Sequence, residues 1–532
     1  MNKKIIMLLG FAVAFTMNSC TNLEESLIGD ITTDINVEGI TTPGSGGGGG
    51  IMAASYGSLR DAGTANHGGY YSVQELTTDE MVIAAKGGDW FDGGILIDLH
   101  KHEYDAVHPF VNGTWVQNYA AINTVNEVLE RDDLDANTIS QARALRAYYY
   151  WRMMDLYGRV KIVTETTTDP PQASRQEVFD FVESELLGAL GITAVSATMD
   201  LSASPLGTDN NSYSINQYGA LGILAKVYLN AEVYTGSARW EEAAAAADFV
   251  INGGVYALCG DGCEVDNLGK RPSVDSDPDK LSGYAAVFAP NNEGNPEHIF
   301  VVNFDEVTGP NMNFTQMNLH YSSQFTWNLQ SQPWNGYATL EEFYNSYEDG
   351  DARKVNNFLV GDQLDFGGSA ILDYASDDES LVLSYNPVIN EIFPNSQREG
   401  GARASKFSFK QLGRDNMSND YPIVRLGDLH LVRGEALARD AGNWSMSLND
   451  VNMIRARAGV SALSTIDADG FLAERGREMF QECSRRTDMI RFGVYNGTWW
   501  EKPASQEFVN IFPIPTDQIT ASAGSLTQNP GY

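Results

Sequence analysis

Two segments combine aromatic side chains with carboxylates and amides in a way that suits one kind of ligand. Residues 86–94 read KGGDWFDGG, and the glycines on both sides leave two large rings with little local structure to cover them. Residues 312–334 carry further aromatic rings among several Asn and Gln side chains. An aromatic face can stack on the C–H face of a pyranose, while carboxylates and amides bond its hydroxyl rim. The two segments predict a saccharide-binding surface, with packing in a core as the alternative for each ring: Trp90, Phe91, Asp92, Tyr321, Trp327, Asn328 and Trp334.

Patterns for catalysis and metal binding are weaker. The segment DLHKHE at 98–103 would place His100 and His102 on one face of a strand, but no third His or HExxH pattern lies nearby. No G-x-S-x-G elbow occurs, and Glu482 and Arg486 have the i,i+4 spacing of a structural ion pair on a helix. With 70 acidic residues, a pair of carboxylates for glycoside hydrolysis stays open as an alternative. We therefore predict no catalytic residue, no metal and no cofactor.

The charge balance limits the class of ligand. The chain has 35 Lys and Arg against 70 Asp and Glu, which gives a formal net charge of −35. Binding to nucleic acid needs clustered basic residues, so this class is excluded, and anionic lipids or polyanionic ligands are disfavoured. A neutral glycan is favoured over a sulfated or uronate-rich one.

The N-terminus has the pattern of an exported lipoprotein. Two lysines and a short apolar stretch precede Asn18-Ser19-Cys20, which predicts a signal peptide at 1–19 and lipidation of Cys20. Met17 stands where the usual motif has Leu, so an ordinary cleaved signal is the alternative. Residues 20–50 lack periodicity and include GSGGGGG, which predicts a flexible tether.

The remaining cysteines suit an exported protein. Cys259 and Cys263 flank a short Gly-containing turn and are a candidate disulfide, with metal binding as the alternative. Cys483 is predicted to be an inert thiol on a helix.

The elements that must position the aromatic segments are mostly helical. Apolar residues recur at helical spacing from about 51 to 255 and again around 421–460, in pairs that resemble degenerate tetratricopeptide units. Thr138 with Gln141 predicts the start of one such helix. Between about 256 and 420, Gly, Asn, Asp and Pro become dense, so we predict a loop-rich insertion of mixed structure that carries the ligand site. The predicted fold is mainly α.

The C-terminal part carries two long motifs of a known family. The sequence GEALARDAGNWSMSLNDVNMIRARAGV at 434–460 and the segment from ERGREMFQECSRRTDMIRFG at 474–493 through FPIPTDQIT to the final QNPGY resemble the SusD/RagB family of surface glycan-capture lipoproteins. RALRAYYYWRMMDLYGRV at 143–160 resembles the family's second helical repeat. Residues 51–532 then form one SusD-like domain, of which 461–532 are the C-terminal family segment.

The resemblance implies a function and a partner. A SusD-like protein captures a poly- or oligosaccharide and closes as a lid over a SusC-like TonB-dependent transporter in the outer membrane, where its lipid anchors it on the cell surface. Its ligand platform comes from loops that correspond to 86–94 and 312–334, although Trp334 also falls in a segment common to the family. Two alternatives remain: a surface glycoside hydrolase, and a lid of the same family that captures peptides.

Overall fold

The structure is a computed structural model and describes residues 50–532 apart from Asp377 and Glu379. The predicted signal peptide, the lipidated Cys20 and the tether up to residue 49 lie outside the described residues. In the part of the chain that is described, no helix has both the length and the apolar character needed to cross a membrane.

Helices dominate the described residues, which confirms the prediction of a mainly α fold built from helix pairs. The α-helices are α1 (Ala53–Asp61), α2 (Tyr70–Glu75), α3 (Ile95–Lys101), α4 (Pro109–Leu129), α5 (Ala136–Tyr157), α6 (Arg175–Leu190), α7 (Gln217–Leu229), α8 (Ala231–Thr235), α9 (Trp240–Asn252), α10 (Tyr284–Val287), α11 (Phe314–Asn318), α12 (Gln324–Trp327), α13 (Glu341–Asn345), α14 (Ala352–Asn357), α15 (Leu426–Asp440), α16 (Leu448–Arg457), α17 (Ala468–Met479), α18 (Arg485–Arg491) and α19 (Thr516–Ala521).

The strands are short and pair antiparallel, two by two. They are β1 (Met81–Val82), β2 (Glu264–Asp266), β3 (Lys280–Ser282), β4 (His298–Val302), β5 (Ala338–Thr339), β6 (Phe358–Leu359), β7 (Gly361–Asp362), β8 (Ser384–Tyr385), β9 (Arg403–Ala404) and β10 (Tyr421–Arg425). Within the described residues the pairs are β1 with β5, β2 with β3, β4 with β10, β6 with β9 and β7 with β8. Most of these strands fall in the predicted loop-rich segment.

The long helices form a continuous scaffold of neighbouring pairs. Helix α4 packs on α5, α5 on α6, α6 on α7, α7 on α9, and α9 on α15, so their apolar faces share one core. Gly222 lets α7 approach strand β10, because a Cβ there would lie 2.3 Å from Cγ1 of Val424. The scaffold therefore carries the β4–β10 pair and the loops that extend from it.

Helix ends follow local capping chemistry. Helix α5 begins at Ala136 because Asp135 accepts a hydrogen bond from the backbone N–H of Thr138. The predicted start at Thr138 is therefore wrong by a few residues: the preceding carboxylate, not the Thr138 hydroxyl, caps the helix. The helix ends at Tyr157, and the next residue, Gly158, has a φ of 70°, a conformation that glycine adopts readily.

Buried ion pairs join the C-terminal helices to the β4–β10 pair. Arg425 bonds Glu297 at 2.8 Å, Glu478 at 2.7 Å and Glu482 at 2.7 Å, and all four side chains are buried. Burial alone would raise the pKa of Glu478, but Arg457 and Arg425 outweigh it and hold that pKa well below its usual range. These charges have structural partners, and removing one partner from such a network costs about 3–5 kcal/mol.

The partners of Glu482 and Arg486 differ from the predicted helical pair. Helix α17 ends at Met479, and Gln481 and Cys483 have positive φ of 61° and 56° before α18 begins. Arg486 bonds Asp155 at 3.3 Å instead of Glu482. The predicted i,i+4 pair is wrong because Glu482 turns inward to Arg425, and Cys483 lies between two helices, not on one.

Cys259 and Cys263 are bonded to each other in the structure, with their Cα atoms 5.3 Å apart. They lie just before β2, and the N–H of Gly283, just after β3, donates to the carbonyl of Cys263 at 2.9 Å. The linked turn therefore closes the base of the β2–β3 hairpin.

Candidate functional site

Four of the predicted site residues meet in one open cleft of about 540 Å³. Trp90 and Asp92 come from the first aromatic segment, and Tyr321 and Trp334 come from the second. The other residues that line this aromatic cleft are His67, Asp89, Gln332 and Pro333. The lining combines rings with carboxylates and an amide, and includes no Lys or Arg among the described residues.

Strand pairing brings the two segments together. Met81 pairs with Thr339 and Val82 with Ala338, so the loop after β1 lies beside the segment before β5. The indole N–H of Trp90 then donates to the backbone carbonyl of Trp334 at 2.7 Å.

Trp90 needs special backbone and side-chain space. Its φ of 60° is in the left-handed region, which is uncommon for a bulky residue and marks a locally constrained turn. Its ring lies against Gly336, where a Cβ would come within 2.6 Å of Cζ2 of Trp90. Gly336 was not predicted as a site residue, because a glycine in a loop gives no sign of the distant ring that it contacts.

Backbone hydrogen bonds fix the position of Trp334. The N–H of Trp334 donates to the carbonyl of Gln316 at 2.7 Å, and the N–H of Gly336 donates to the carbonyl of Met317 at 3.0 Å. The segment is thereby anchored on α11. The Trp334 side chain stays 37% exposed, which leaves its surface accessible from the cleft.

His67 is a second cleft residue that the sequence did not reveal. Its ring makes edge-to-face contact with Trp90 at 5.3 Å between centroids, and its Nδ1 lies 3.0 Å from the hydroxyl of Tyr337. Burial lowers the pKa of His67 to about 4, with Asp92 acting in the opposite direction. The ring is therefore neutral at physiological pH and supports the indole by packing.

The cleft wall carries polar groups, and Lys86 is buried close to one of them, Asp89. The hydroxyl of Tyr321, in a short 3₁₀ turn, donates to a carboxylate oxygen of Asp89. Partial burial raises the pKa of Asp89, and nearby Lys86 opposes this shift. Lys86 itself is buried, which lowers the pKa of its side chain, and its Nζ donates to the carbonyl of Ala84 at 3.1 Å. These acceptors and donors lie within the same cleft as the rings.

Trp327 does not join the cleft, and the expectation of an exposed ring is wrong. Its side chain is only 8% exposed and packs edge-to-face on Phe409 at 5.1 Å. It lines a separate cleft of about 740 Å³ between the β2–β3 hairpin and α14. Asn328 ends α12 with a φ of 47° and lies outside the residues that line the aromatic cleft.

Phe91 lies beside the cleft without lining it. Its ring is exposed and packs on Phe393 at 5.2 Å. Phe91 therefore remains next to the other site residues, but on the outer surface.

The two histidines of the weaker metal pattern are already engaged elsewhere. The segment forms helix α3 instead of the expected strand. The Nε2 of His100 lies 2.7 Å from the carbonyl of Trp500, and the Nε2 of His102 lies 2.8 Å from the carbonyl of Thr77. Among the described residues no group of three or more His, Cys, Asp or Glu side chains could hold a metal ion.

Comparison with known proteins agrees with the fold and with the C-terminal motifs. Residues 393–510 match the SusD family. The starch-binding protein SusD of Bacteroides thetaiotaomicron is 23% identical over 519 residues, which cover 87% of this chain and 85% of that protein. The chain is similar to SusD-like proteins over most of its length.

Solved structures support the same fold. A laminarin-binding SusD-like protein matches with a TM-score of 0.66 and 20% identity, over 91% of this chain and 98% of that one. Surface glycan-binding protein A from Bacteroides thetaiotaomicron, solved in complex with laminarihexaose, matches with a TM-score of 0.67 and 16% identity, over 90% of this chain and 98% of that one. The resemblance seen in the sequence is confirmed, and the aromatic cleft is formed mainly by residues of the two aromatic segments predicted from the sequence.

Proposed function

We propose that this SusD-like protein is a non-catalytic glycan-binding protein of the cell surface. The observation that carries the proposal is the aromatic cleft, in which Trp90, Trp334 and Tyr321 stand beside Asp89 and Gln332. Rings supply the faces on which a pyranose stacks, and the polar side chains supply hydroxyl partners. The names of the relatives, which describe starch, laminarin and glycan binding, support this function and describe binding proteins rather than enzymes.

The ligand is a neutral poly- or oligosaccharide. Asp89 and Asp92 line the cleft, its described lining includes no Lys or Arg, and the whole chain carries a formal charge of −35. A sulfate or uronate group would therefore enter a negative field with no cation in the lining to pair with it, since Lys86 is buried outside the lining and bonds the carbonyl of Ala84.

Affinity electrophoresis tests both statements. Native gels that contain starch, laminarin or mannan should retard the protein, whereas gels that contain a sulfated or uronate polysaccharide should not. Retardation only in the anionic gels, weakened by added salt, would refute the choice of a neutral ligand. Retardation in none of the gels would count against glycan binding itself.

The site of binding is tested by two substitutions of matched chemistry. Trp334→Ala removes a ring that lines the cleft, and Phe508→Ala removes an equally exposed ring that packs on Tyr532. The first should abolish retardation in the gel that the parent recognises, and the second should leave it unchanged. Equal behaviour of the two variants would place the binding site elsewhere.

Delivery and anchoring complete the proposal and rest on the family resemblance. Lipidated Cys20 holds the protein in the outer membrane, and a SusC-like TonB-dependent transporter receives the captured glycan. Purification of the tagged protein from native outer membranes should recover such a transporter in a stable complex. Recovery of the protein alone, under detergent conditions that preserve other membrane complexes, would contradict the partnership.

A further inference from the structure

A buried lysine lies close to the aromatic cleft with no carboxylate bonded to its charge. Lys86 is 5% exposed, and its Nζ donates to two main-chain carbonyls, that of Ala84 at 3.1 Å and that of Gly336 at 3.4 Å. It forms no ion pair within the part of the chain that the structure describes. An ammonium group taken out of water costs several kcal/mol unless it is paired. The charge of Lys86 therefore needs a reason other than stability.

A second buried cation makes this position of Lys86 more costly. Arg403, on β9, is fully buried and donates to the carbonyl of Gly400 at 2.9 Å and to Oδ1 of Asn335 at 2.8 Å. Burial lowers the pKa of Lys86, repulsion from Arg403 lowers it further, and the carboxylate that acts in the opposite direction is Asp89. Charged groups that persist in such surroundings concentrate at functional sites, because there the charge serves the ligand.

The Lys86 side chain joins the two segments that form the cleft. Ala84 lies in the chain between β1 and Trp90, whereas Gly336 belongs to the other segment and contacts the Trp90 ring. The backbone of Lys86 also closes the turn before Trp90. Its N–H donates to the carbonyl of Asp89 at 2.8 Å, and its carbonyl accepts from the N–H of Asp89 at 3.3 Å. Lys86 therefore fixes Asp89 and both segments relative to one another.

Asp89 is the cleft residue on which the charge of Lys86 acts. Its side chain is exposed, lines the cleft and accepts a hydrogen bond from the hydroxyl of Tyr321. Partial burial raises the pKa of Asp89, and Lys86 is the largest influence that lowers it. The other charged groups that act on it are Asp92, which raises the pKa, and Arg398, which lowers it. Loss of the Lys86 charge would therefore shift Asp89 toward its protonated form.

We propose that Lys86 is a positioning residue for glycan binding: its buried ammonium keeps Asp89 in the ionised form that accepts sugar hydroxyls, and ties the segment of Trp90 to that of Trp334. An ionised carboxylate accepts stronger hydrogen bonds than a neutral carboxyl group does. This inference rests on the proposed function and adds a residue that acts on the ligand only through its neighbours, since Lys86 does not itself line the cleft.

Substitutions at Lys86 separate its charge from its hydrogen bonds. Lys86→Gln removes the charge but keeps a side-chain donor for the two carbonyls, and Lys86→Met, which keeps the volume, replaces it should Lys86→Gln fail to fold. Lys86→Arg keeps the charge. Lys502→Gln is the matched control, because Lys502 is also buried, also donates to two main-chain carbonyls, at 2.7 and 3.1 Å, and does not line the cleft. Thermal unfolding of each variant shows whether the fold is kept.

The deciding measurement is the pH profile of glycan affinity. Whichever of starch, laminarin and mannan retards the parent is titrated calorimetrically into each variant between pH 5 and pH 8. Parent binding should weaken only toward the acid end, as Asp89 takes up its proton. Lys86 gains its own proton in the same direction, so its charge is greatest where Asp89 titrates. In Lys86→Gln the weakening should begin about one pH unit higher, the size expected when a nearby opposite charge is removed. Lys86→Arg and Lys502→Gln should follow the parent.

Asp89→Asn identifies the group that titrates. This variant should bind more weakly than the parent near neutral pH and lose no further affinity toward pH 5, and addition of Lys86→Gln should not change its profile. Burial lowers the pKa of His67 to about 4, below the range of the titrations, whereas Asp92 lies in the same cleft. A loss toward pH 5 that persists in Asp89→Asn would belong to another group and would overturn the inference.

Failure of this inference and failure of the proposed function give different results. A Lys86→Gln profile that coincides with that of the parent would overturn the inference alone. A profile weakened by the same factor at every pH would overturn it too, since Lys86 would then support the fold without acting on Asp89. A parent that binds none of the three polysaccharides at any pH would overturn the proposed function, and the role of Lys86 with it.

Discussion

Gly336→Ala should displace Trp90 from the aromatic cleft. An added Cβ would lie 2.6 Å from Cζ2, 2.8 Å from Cη2 and 3.0 Å from Cε2 of the indole. Carbon atoms pack at about 3.5–4.0 Å, so the ring must shift by roughly an ångström. The backbone of Gly336 is held by its hydrogen bond to Met317 at 3.0 Å, whereas Trp90 belongs to a surface loop and is only partly buried. The ring is therefore the part that moves.

The size of the effect follows from the contacts that the shift breaks. The hydrogen bond from the Trp90 indole to the Trp334 carbonyl, 2.7 Å long, contributes about 1 kcal/mol to stability. The stacking face that Trp90 offers contributes about 1–3 kcal/mol to ligand binding, as aromatic hot spots do. The dissociation constant for the glycan should then rise about 5- to 140-fold, with a small loss of thermal stability.

Calorimetric titration with the polysaccharide that retards the parent measures this effect. Gly88→Ala, in the same loop, is the control, because its Cβ would meet no atom within 4 Å. In a Trp90→Ala background, Gly336→Ala should weaken binding no further, since the two substitutions act through one ring. Equal affinities for Gly336→Ala and Gly88→Ala would refute the role of Trp90.

Three further predictions follow from burial, titration and sequence. Trp334→Ala should lower glycan affinity about 10- to 100-fold with little change in melting temperature, whereas Trp327→Ala should destabilise the fold by about 3–5 kcal/mol. Calorimetric titration and thermal unfolding of both variants measure these effects. A larger loss of stability in Trp334→Ala than in Trp327→Ala would refute the prediction. Burial raises the pKa of Asp420 to about 7, so the folded chain holds this proton more tightly than the unfolded chain, and the stability that Asp420 contributes is lost as pH rises from about 4 through 7. The free energy of unfolding of Asp420→Asn, measured in urea, should accordingly rise by about 4 kcal/mol relative to that of the parent between pH 4 and pH 8. A difference that shrinks as pH rises would contradict the raised pKa of Asp420. Cys20→Ser should release the protein from membranes without changing its melting temperature, and retention in the lipid fraction of cells that lack the transporter would refute the anchor.

The sequence predicted much of the cleft because its rings lie in recognisable loops. Trp90 stands in a Gly-rich segment, and Tyr321 and Trp334 stand in a segment rich in Asn, Gln and Ser, and both segments are typical of loops. Trp327 has the same sequence environment, yet its ring packs on Phe409, a residue some eighty positions further along the chain. Whether a ring in a loop packs against a distant residue depends on the tertiary structure, and it could not be deduced from this one sequence.

The helices were predicted from local sequence signals, and the prediction was wrong where a tertiary contact overrides those signals. Periodicity and caps are local, so helix pairs such as α5 with α6 follow from residue spacing. The break between α17 and α18 is set instead by Glu482, whose side chain reaches Arg425 and Lys406 in the core. A sequence that favours a helix does not form one there, because an unpaired buried charge costs more free energy than the loss of a few helical residues.

Stability and binding use separate groups in this molecule. The buried ion pairs of Arg425 join the C-terminal helices to the β4–β10 pair, and none of those side chains lines the aromatic cleft. The cleft segments are placed mainly by main-chain hydrogen bonds, such as those from Trp334 and Gly336 to α11. A backbone bond does not depend on which side chain the residue carries, so a ring such as Trp334 can be exchanged without loss of the loop that presents it. Exchange of an exposed ring at the cleft is therefore expected to change ligand binding without changing the scaffold.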